Sequence, residues 1–319
     1  MEYLLSIVIV NWNVADLVVD SIQSIIDNPP PGDYEIIVVD NASVDDSVEI
    51  IGRKFPMVKV IANQKNVGFG KANNQGMRIA CGKFIFVLNP DTIVIGDALT
   101  KLTDLLDKDL KVGMVGPAFL KADGLTPQPG AARLSRTLIS GVLLDLLNVD
   151  RLSWIGSRAL KKLRYPYDPN TEGSVEVISG AAMMFRSFMI SQVGGFDERY
   201  FMAGEDVELC DRFREFGYKI YYYPNAKIIH YNQSCSPMNP VEIFVNRFLS
   251  MAKYYELKNG KFAHFLFRAA TYIILFPKLL IKALIYLICN ERDQMIANLT
   301  TIKLLGQWKF VGDAEDFNS

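Results

Sequence analysis

Three stretches near the start of the chain, Leu4–Val10 (LLSIVIV), Glu35–Val39 (EIIVV) and Lys83–Leu88 (KFIFVL), are close to continuously apolar and of strand length. Strands that are apolar on both faces must be covered on both faces. That requirement is met by a mostly parallel sheet with helices on either side. The intervening sequence supplies the helices. Val14, Leu17, Val18, Ile22, Ile25 and Ile26 fall on one helical face over residues 14–27, and Pro29-Pro30-Pro31-Gly32 ends that helix. The spacing predicts a short helix through Gly52 capped by Ser43, a strand at 58–62, helices over 70–81 and 97–108, and a strand at 112–117. In such sheets ligands collect beyond the carboxyl ends of the strands. Asn11, Asp40 and Asp91 stand at those ends.

With 319 residues, half of them hydrophobic, the chain can bury a large core and carry an appendage. A net charge of −1 gives no reason to expect nucleic acid as a partner. The four cysteines, Cys81, Cys210, Cys235 and Cys289, form no CxxC pair, so buried free thiols in a reducing cytoplasm are expected. Met1-Glu2 runs straight into a strand with no basic leader, and a secretory signal is not expected.

Residues 118–174 differ in character. They hold Gly, Pro and Gln, then apolar pieces with Arg133, Arg136, Arg151, Arg158, Lys161, Lys162 and Arg164. Their place after the core strands fits a substrate-facing insertion or a solvated helical one. Strand character resumes at Glu176 (EVISGAAMMFR). A helix over 205–217 places Leu209, Phe213 and Phe216 on one side, and KIYYYP and AKIIHY read as two short strands.

Several residues carry chemistry. Asp40 closes its strand as VVDNAS, suited either to capping or to holding a nucleobase or ribose. NVGFGKANNQG, with Gly68, Gly70 and Gly76, is neither a P-loop nor a dinucleotide fingerprint; its glycines suit close backbone approach to a ligand or a plain turn. In Asn89-Pro90-Asp91 the proline cannot donate to a ladder, so the strand ends and releases Asp91 at the sheet's rim. A turn-forming acid or a ligand for a hard divalent cation both fit there. Glu205, Asp206 and Glu208 crowd the first turn of a helix, which the helix dipole favours, yet GGFDERYF just before them is aromatic, as a pocket wall would be. One of these acids could take a proton from an attacking hydroxyl. His230 ends its strand and is a structural histidine or a further metal ligand.

SIVIVNWN, VVDNAS, NVGFGKANN, LNPDT, GGFDERYF and GEDVELCDRFREFGY occur in this order over residues 4–235. Together they resemble the bacterial family 2 glycosyltransferases of GT-A fold, especially rhamnosyltransferase-like members. The resemblance implies an inverting enzyme that uses a nucleoside-diphosphate sugar with Mg²⁺ or Mn²⁺. By that likeness Asp91 binds metal within the position of an Asp-x-Asp motif, whose first acid is here replaced by Asn89, better suited to ribose or a water-mediated contact. Asp40 holds the nucleobase, and Val10 and Asn11 line the same pocket, with Gly68 and Lys71 also on the donor side. Asp206 is the general base with Glu205 as its rival, and His230 joins Asp91 on the metal. The subfamily likeness makes dTDP-rhamnose the first donor. A nucleotidyltransferase, or a non-catalytic nucleotide-sugar-binding module of a polysaccharide assembly system, are the alternatives; the first lacks its glycine-rich basic loop in NWNVADL.

The chain is thus expected to place a GT-A domain at 1–235 and a helical segment at 236–319. From Phe262 that segment reads FAHFLFRAATYIILFPKLLIKALIYLI, broken by Arg268, Pro277, Lys278 and Lys282. Between 246 and 292 stand Arg247, Lys253, Lys258, Lys261, Arg268, Lys278, Lys282 and Arg292 against Glu256 and Glu291. Apolar, basic helices of this kind suit the inner surface of the cell membrane, and hence a lipid-linked or membrane-proximal glycan acceptor. Packing within the protein, a homo-oligomer, or a bilayer span are the other uses of such a stretch.

Overall fold

The computed structural model describes residues 3–135, 168–231 and 240–308. Arg136, Arg151, Arg158, Lys161, Lys162, Arg164 and Cys235 lie outside the described residues. Among the described residues the chain forms two compact units, one of 3–135, 168–199 and 205–231, the other of 200–204 and 240–308.

In the first unit the elements alternate as the apolar runs require: β1 (Tyr3–Asn11), α1 (Ala15–Asp27), β2 (Tyr34–Asp40), α2 (Ser47–Lys54), β3 (Lys59–Ala62), α3 (Phe69–Ile79), β4 (Gly82–Leu88), β5 (Thr92–Val94), α4 (Ala98–Lys108) and β6 (Val112–Leu120). Then come β7 (Pro127–Gln128), β8 (Ala132–Arg133), β9 (Gly173–Val175), β10 (Val177–Ile178), β11 (Ala182–Arg186), α5 (Phe188–Val193), α6 (Glu205–Glu215) and β12 (Lys219–His230). The main sheet has the order β3-β2-β1-β4-β11-β6-β12-β5. Its first four strands are parallel. The other half is mixed, because β11 lies antiparallel between β4 and β6 while β6 and β12 run parallel. The sheet is therefore less parallel than the apolar runs alone imply. The α3 helix packs on β1 and β2, α4 on β6, β11 and β12, and α6 on β6, β10 and β12.

Several local expectations change. Ser43 caps no helix; α2 starts at Ser47, and Ser43 instead donates its hydroxyl to Asp40. KIYYYP and AKIIHY are one strand, with a register shift between Tyr223 and Lys227 where Pro224 has no N–H to give. Phe216 falls beyond the end of α6 and is exposed. Of the described cysteines only Cys210 is buried; Cys81 and Cys289 are exposed. The described ends of the 118–174 region are woven into sheets: 118–120 complete β6, β7 pairs with β6, and β8 pairs with β10.

The second unit is helical: α7 (Pro240–Ala270), a π-helical turn (Thr271–Leu275), α8 (Phe276–Ile288) and α9 (Arg292–Gln307). Gly260, at φ +83°, breaks α7 in two. The run from Pro240 to Ile288 is long and apolar enough, by length and composition, to cross a membrane, and its most apolar part is largely exposed. Ile273, Leu280, Ile281, Leu284, Leu287 and Ile288 face outward.

Candidate active site

The carboxyl ends of β1 and β2 meet in register, Asn11 opposite Asp40. Asp40 is buried and accepts three hydrogen bonds: Asn11 Nδ2 at 2.8 Å, Ser43 Oγ at 2.6 Å and the Ser43 amide at 2.9 Å. Asn11 Oδ1 is left as a buried acceptor with no hydrogen-bond partner. Two non-glycine residues beside this pair, Asn13 (φ +54°) and Ala42 (φ +63°), are held in the left-handed region, which costs energy and persists where surrounding structure enforces it. Val10 belongs to a small apolar cluster with Ile37, Val39 and Ala72.

The glycine-rich segment enters α3 through Gly68, at φ +85°, whose carbonyl accepts Asn41 Nδ2 at 3.3 Å. Lys71 is exposed on the first turn of that helix. A Cβ on Gly70 would stand 3.1 Å from Phe196 Cβ and 3.8 Å from Glu205 Cβ, so this segment lies directly against the GGFD stretch and the acid pair. Two residues inside the quoted motifs, given no role by the sequence, hold that stretch. Asn74 donates to Phe196 O at 2.8 Å and accepts from Phe196 N at 2.8 Å. Arg212 donates to Val193 O and Gly195 O, each at 2.6 Å, and clasps Glu208 through both Nε and Nη2.

Asn89-Pro90-Asp91 links β4 to β5 as the proline requires. Asn89 donates its amide to Ala181 O at 2.9 Å, and its buried Oδ1 has no hydrogen-bond partner. Asp91 is buried, and its carbonyl accepts Tyr231 N at 3.0 Å. Because Thr92 pairs with His230 across β5 and β12, the imidazole arrives beside the acid: His230 Nε2 is 3.4 Å from Asp91 Oδ1. The far ring nitrogen, Nδ1, lies 3.4 Å from Gln128 Nε2, and the Phe119 ring packs at 4.9 Å. Gln128 is a site residue that sequence reasoning missed; nothing in the turn-like TPQPG advertises it.

A divalent cation is the group this fold implies here, and the donor chemistry can be tested. A carboxylate oxygen and an imidazole nitrogen 3.4 Å apart are close to the ~3 Å edge between adjacent ligands of an octahedral ion. Among the described residues no cluster of three His, Cys, Asp or Glu side chains stands ready for a metal. Two protein ligands with the remaining positions open suit an ion shared with phosphate oxygens, and the mixed oxygen–nitrogen set suits Mn²⁺ better than Mg²⁺.

The acid pair opens α6. Asp206 Oδ2 accepts Arg133 Nη2 at 2.5 Å and Gly180 N at 3.2 Å, and Oδ1 accepts Val207 N at 2.8 Å. Glu205 is buried and its Oε2 has no hydrogen-bond partner. Burial, reinforced by the neighbouring Asp206 charge, pushes its carboxyl up to about 8. Adjacent residues tie this corner to the Asn89-Pro90-Asp91 turn: Gly180 donates to Asp206 while Ala181 accepts from Asn89.

The mixed sheet flanked by helices is the fold of the GT-A glycosyltransferases. The chain belongs to glycosyl transferase family 2, whose pattern matches residues 6–193. It is 28% identical over 218 residues to the N-acetylglucosaminyl-diphospho-decaprenol L-rhamnosyltransferase of Mycobacterium tuberculosis, covering 64% of this chain and 69% of that protein. It is 25% identical to the poly-beta-1,6-N-acetyl-D-glucosamine synthase of Staphylococcus epidermidis, over 70% of this chain and 48% of the synthase. The fold matches a mannosyltransferase from Pyrobaculum calidifontis solved with GDP-Man and Mn²⁺, at a TM-score of 0.55 and 14% identity, covering 95% of this chain and 86% of that one. GalNAc-T7, solved with UDP, GalNAc and Mn²⁺, matches at a TM-score of 0.52 and 17% identity, covering 78% and 47%. Family membership sets the two alternatives, nucleotidyltransferase and non-catalytic module, behind glycosyl transfer.

Proposed function

We propose that this enzyme moves a sugar, with dTDP-rhamnose the first donor to test, onto a hydroxyl of a lipid-linked or cell-surface glycan precursor, with inversion. The observation that carries the reading is the Gly180-Ala181 bridge. It joins the candidate base Asp206 to the Asn89-Pro90-Asp91 turn, though the two are more than a hundred positions apart. Unsatisfied buried oxygens on Asn11, Asn89 and Glu205 add to it, since native structures leave few such groups without a purpose.

In this reading Asn11 and Asp40 hold the nucleobase, Val10, Gly68 and Lys71 line the donor side, and Asn89 serves the ribose. Asp91 and His230 hold Mg²⁺ or Mn²⁺, as the manganese-bound fold relatives suggest. When bound, the cation offsets charge on the departing diphosphate. Asp206 removes the acceptor hydroxyl proton as that oxygen bonds to the sugar's anomeric carbon. The bond from that carbon to the diphosphate breaks, and its electron pair leaves with the diphosphate. One displacement inverts the centre. Glu205, holding its proton, is unsuited to be the base at neutral pH.

The acceptor and the site of action follow from the second unit. Its outward apolar residues, with Lys278 and Lys282 among them, suit a helix lying in the inner face of the cell membrane. Arg268, Lys278 and Lys282 within the stretch weigh against a straight span. The M. tuberculosis relative is named for a polyprenyl-diphosphate acceptor, in keeping with this placement.

The test is a donor panel of thymidine, uridine and guanosine diphosphate sugars with Mn²⁺ and a polyprenyl-diphosphate glycan. Acceptor-dependent release of nucleoside diphosphate, with an inverted linkage by NMR, is expected. A retained linkage, or release of pyrophosphate, would overturn the mechanism.

A further inference from the structure

The ion pair between Arg133 and Asp206 is largely shielded from solvent, with side-chain exposures of 16% and 10%. Neither residue reaches the other by local sequence. The small sheet of β8 and β10 brings them together, with Arg133 opposite Val177 and the chain turning through Ser179 into Gly180. The corner is fixed further by Ser179 N donating to Ala131 O at 2.9 Å and Ser135 N donating to Glu176 Oε2 at 2.6 Å. The strand β8 and the turn after β10 thus supply both partners of Asp206 Oδ2, a guanidinium and an amide.

A carboxylate offers about four lone-pair sites. Three are taken, two on Oδ2 by Arg133 and Gly180 and one on Oδ1 by Val207. We propose that Arg133 is a positioning residue for the transfer reaction, holding the Asp206 side chain turned so that Oδ1 receives the acceptor proton. The inference rests on the base assignment above and adds the residue that makes it work.

The surroundings agree. Glu205 precedes Asp206 on α6, and Arg133 reaches Asp206 from β8. The strands β6 and β10, on which α6 packs, carry no ionisable side chain.

The experiment compares kcat and acceptor KM for the full chain carrying Arg133, Arg133→Lys and Arg133→Gln, with nucleoside diphosphate and Mn²⁺ binding measured by calorimetry. For Arg133→Gln kcat should fall about tenfold or more, with acceptor KM and the affinity for nucleoside diphosphate unchanged within about twofold. Arg133→Lys should recover part of the loss, because it keeps the charge and loses the fork. If Arg133→Gln does not fold, the Lys variant decides alone, since a kcat equal to the parent's there overturns the proposal. An unchanged kcat in Arg133→Gln, or a loss of nucleotide affinity instead, also overturns it. Asp206→Asn run in parallel separates the two ideas: full turnover in that variant defeats the base assignment itself.

Discussion

Glu205 and Asp206 are adjacent in sequence and opposite in environment. One is buried without a partner for Oε2, the other is gripped by a guanidinium and two amides. The difference has a measurable consequence for stability. An acid whose carboxyl is raised in the folded state, from 4.5 to about 8, holds a proton there that the unfolded chain has lost. Stability from this group is therefore full below about pH 4.5 and declines as pH rises toward 8. Glu205→Gln removes the ionisation, so its melting temperature should exceed that of the parent by a margin that widens from pH 5 to pH 8. Thermal melts by circular dichroism across that range check it; a constant margin would contradict it. At the same scale, Asp206→Asn should lower kcat at least a hundredfold while nucleoside diphosphate binding persists. Asp91→Ala should abolish the part of that binding that depends on Mn²⁺, measurable by calorimetry with and without the ion. The positions of Asp40 and Asp91 were legible because a strand end and a proline mark them in one dimension. Arg133 and Gln128 were not, because each acts on a partner far away in sequence, Arg133 across 73 positions and Gln128 across 102.

Element by element, the apolar runs located β1, β2, β4 and β6 well, since burial on both faces leaves no alternative reading. What they could not show is why α3 needs its last glycine. A Cβ on Gly76 would come within 2.4 Å of Val8 Cγ1 on β1, so the residue serves close packing of helix on strand rather than ligand approach. Gly76→Ala should destabilise the fold by about 1–3 kcal/mol, seen as a lower denaturation midpoint with an unchanged slope. The long strand β12 was misread for a definite reason. Pro224 signals a break, yet the strand absorbs it as a register irregularity and carries on to His230. Phe216 was placed on a helical face because periodicity does not say where a helix stops; Gly217, at φ +85°, turns the chain there.

For the whole molecule, the sum of charges near zero concealed the local basic excess of the C-terminal helices. Under the membrane reading, the full chain should co-sediment with vesicles containing anionic phospholipid, and less so as salt rises. Changing both Lys278 and Lys282 to Glu should weaken that binding about tenfold or more, each lysine near such a surface contributing ~1 kcal/mol. Supernatant recovery as a discrete oligomer would instead identify the apolar helices as a subunit interface. The direction of β11 was beyond reach of any single stretch of sequence, because an apolar run does not record whether its neighbour runs up or down.

That inserted strand sets a timetable on the ribosome. The β3-β2-β1-β4 half can pair as soon as Leu88 is made, but the outer rim of β4 waits for β11, which is complete only at Arg186. At synthesis rates of about 5–20 residues per second, the unpaired rim stays open for roughly 5–20 s. A nascent chain stalled in that interval presents a long apolar edge to every other chain nearby, which makes the 89–186 stretch the point at which chaperone supply or codon speed would govern yield.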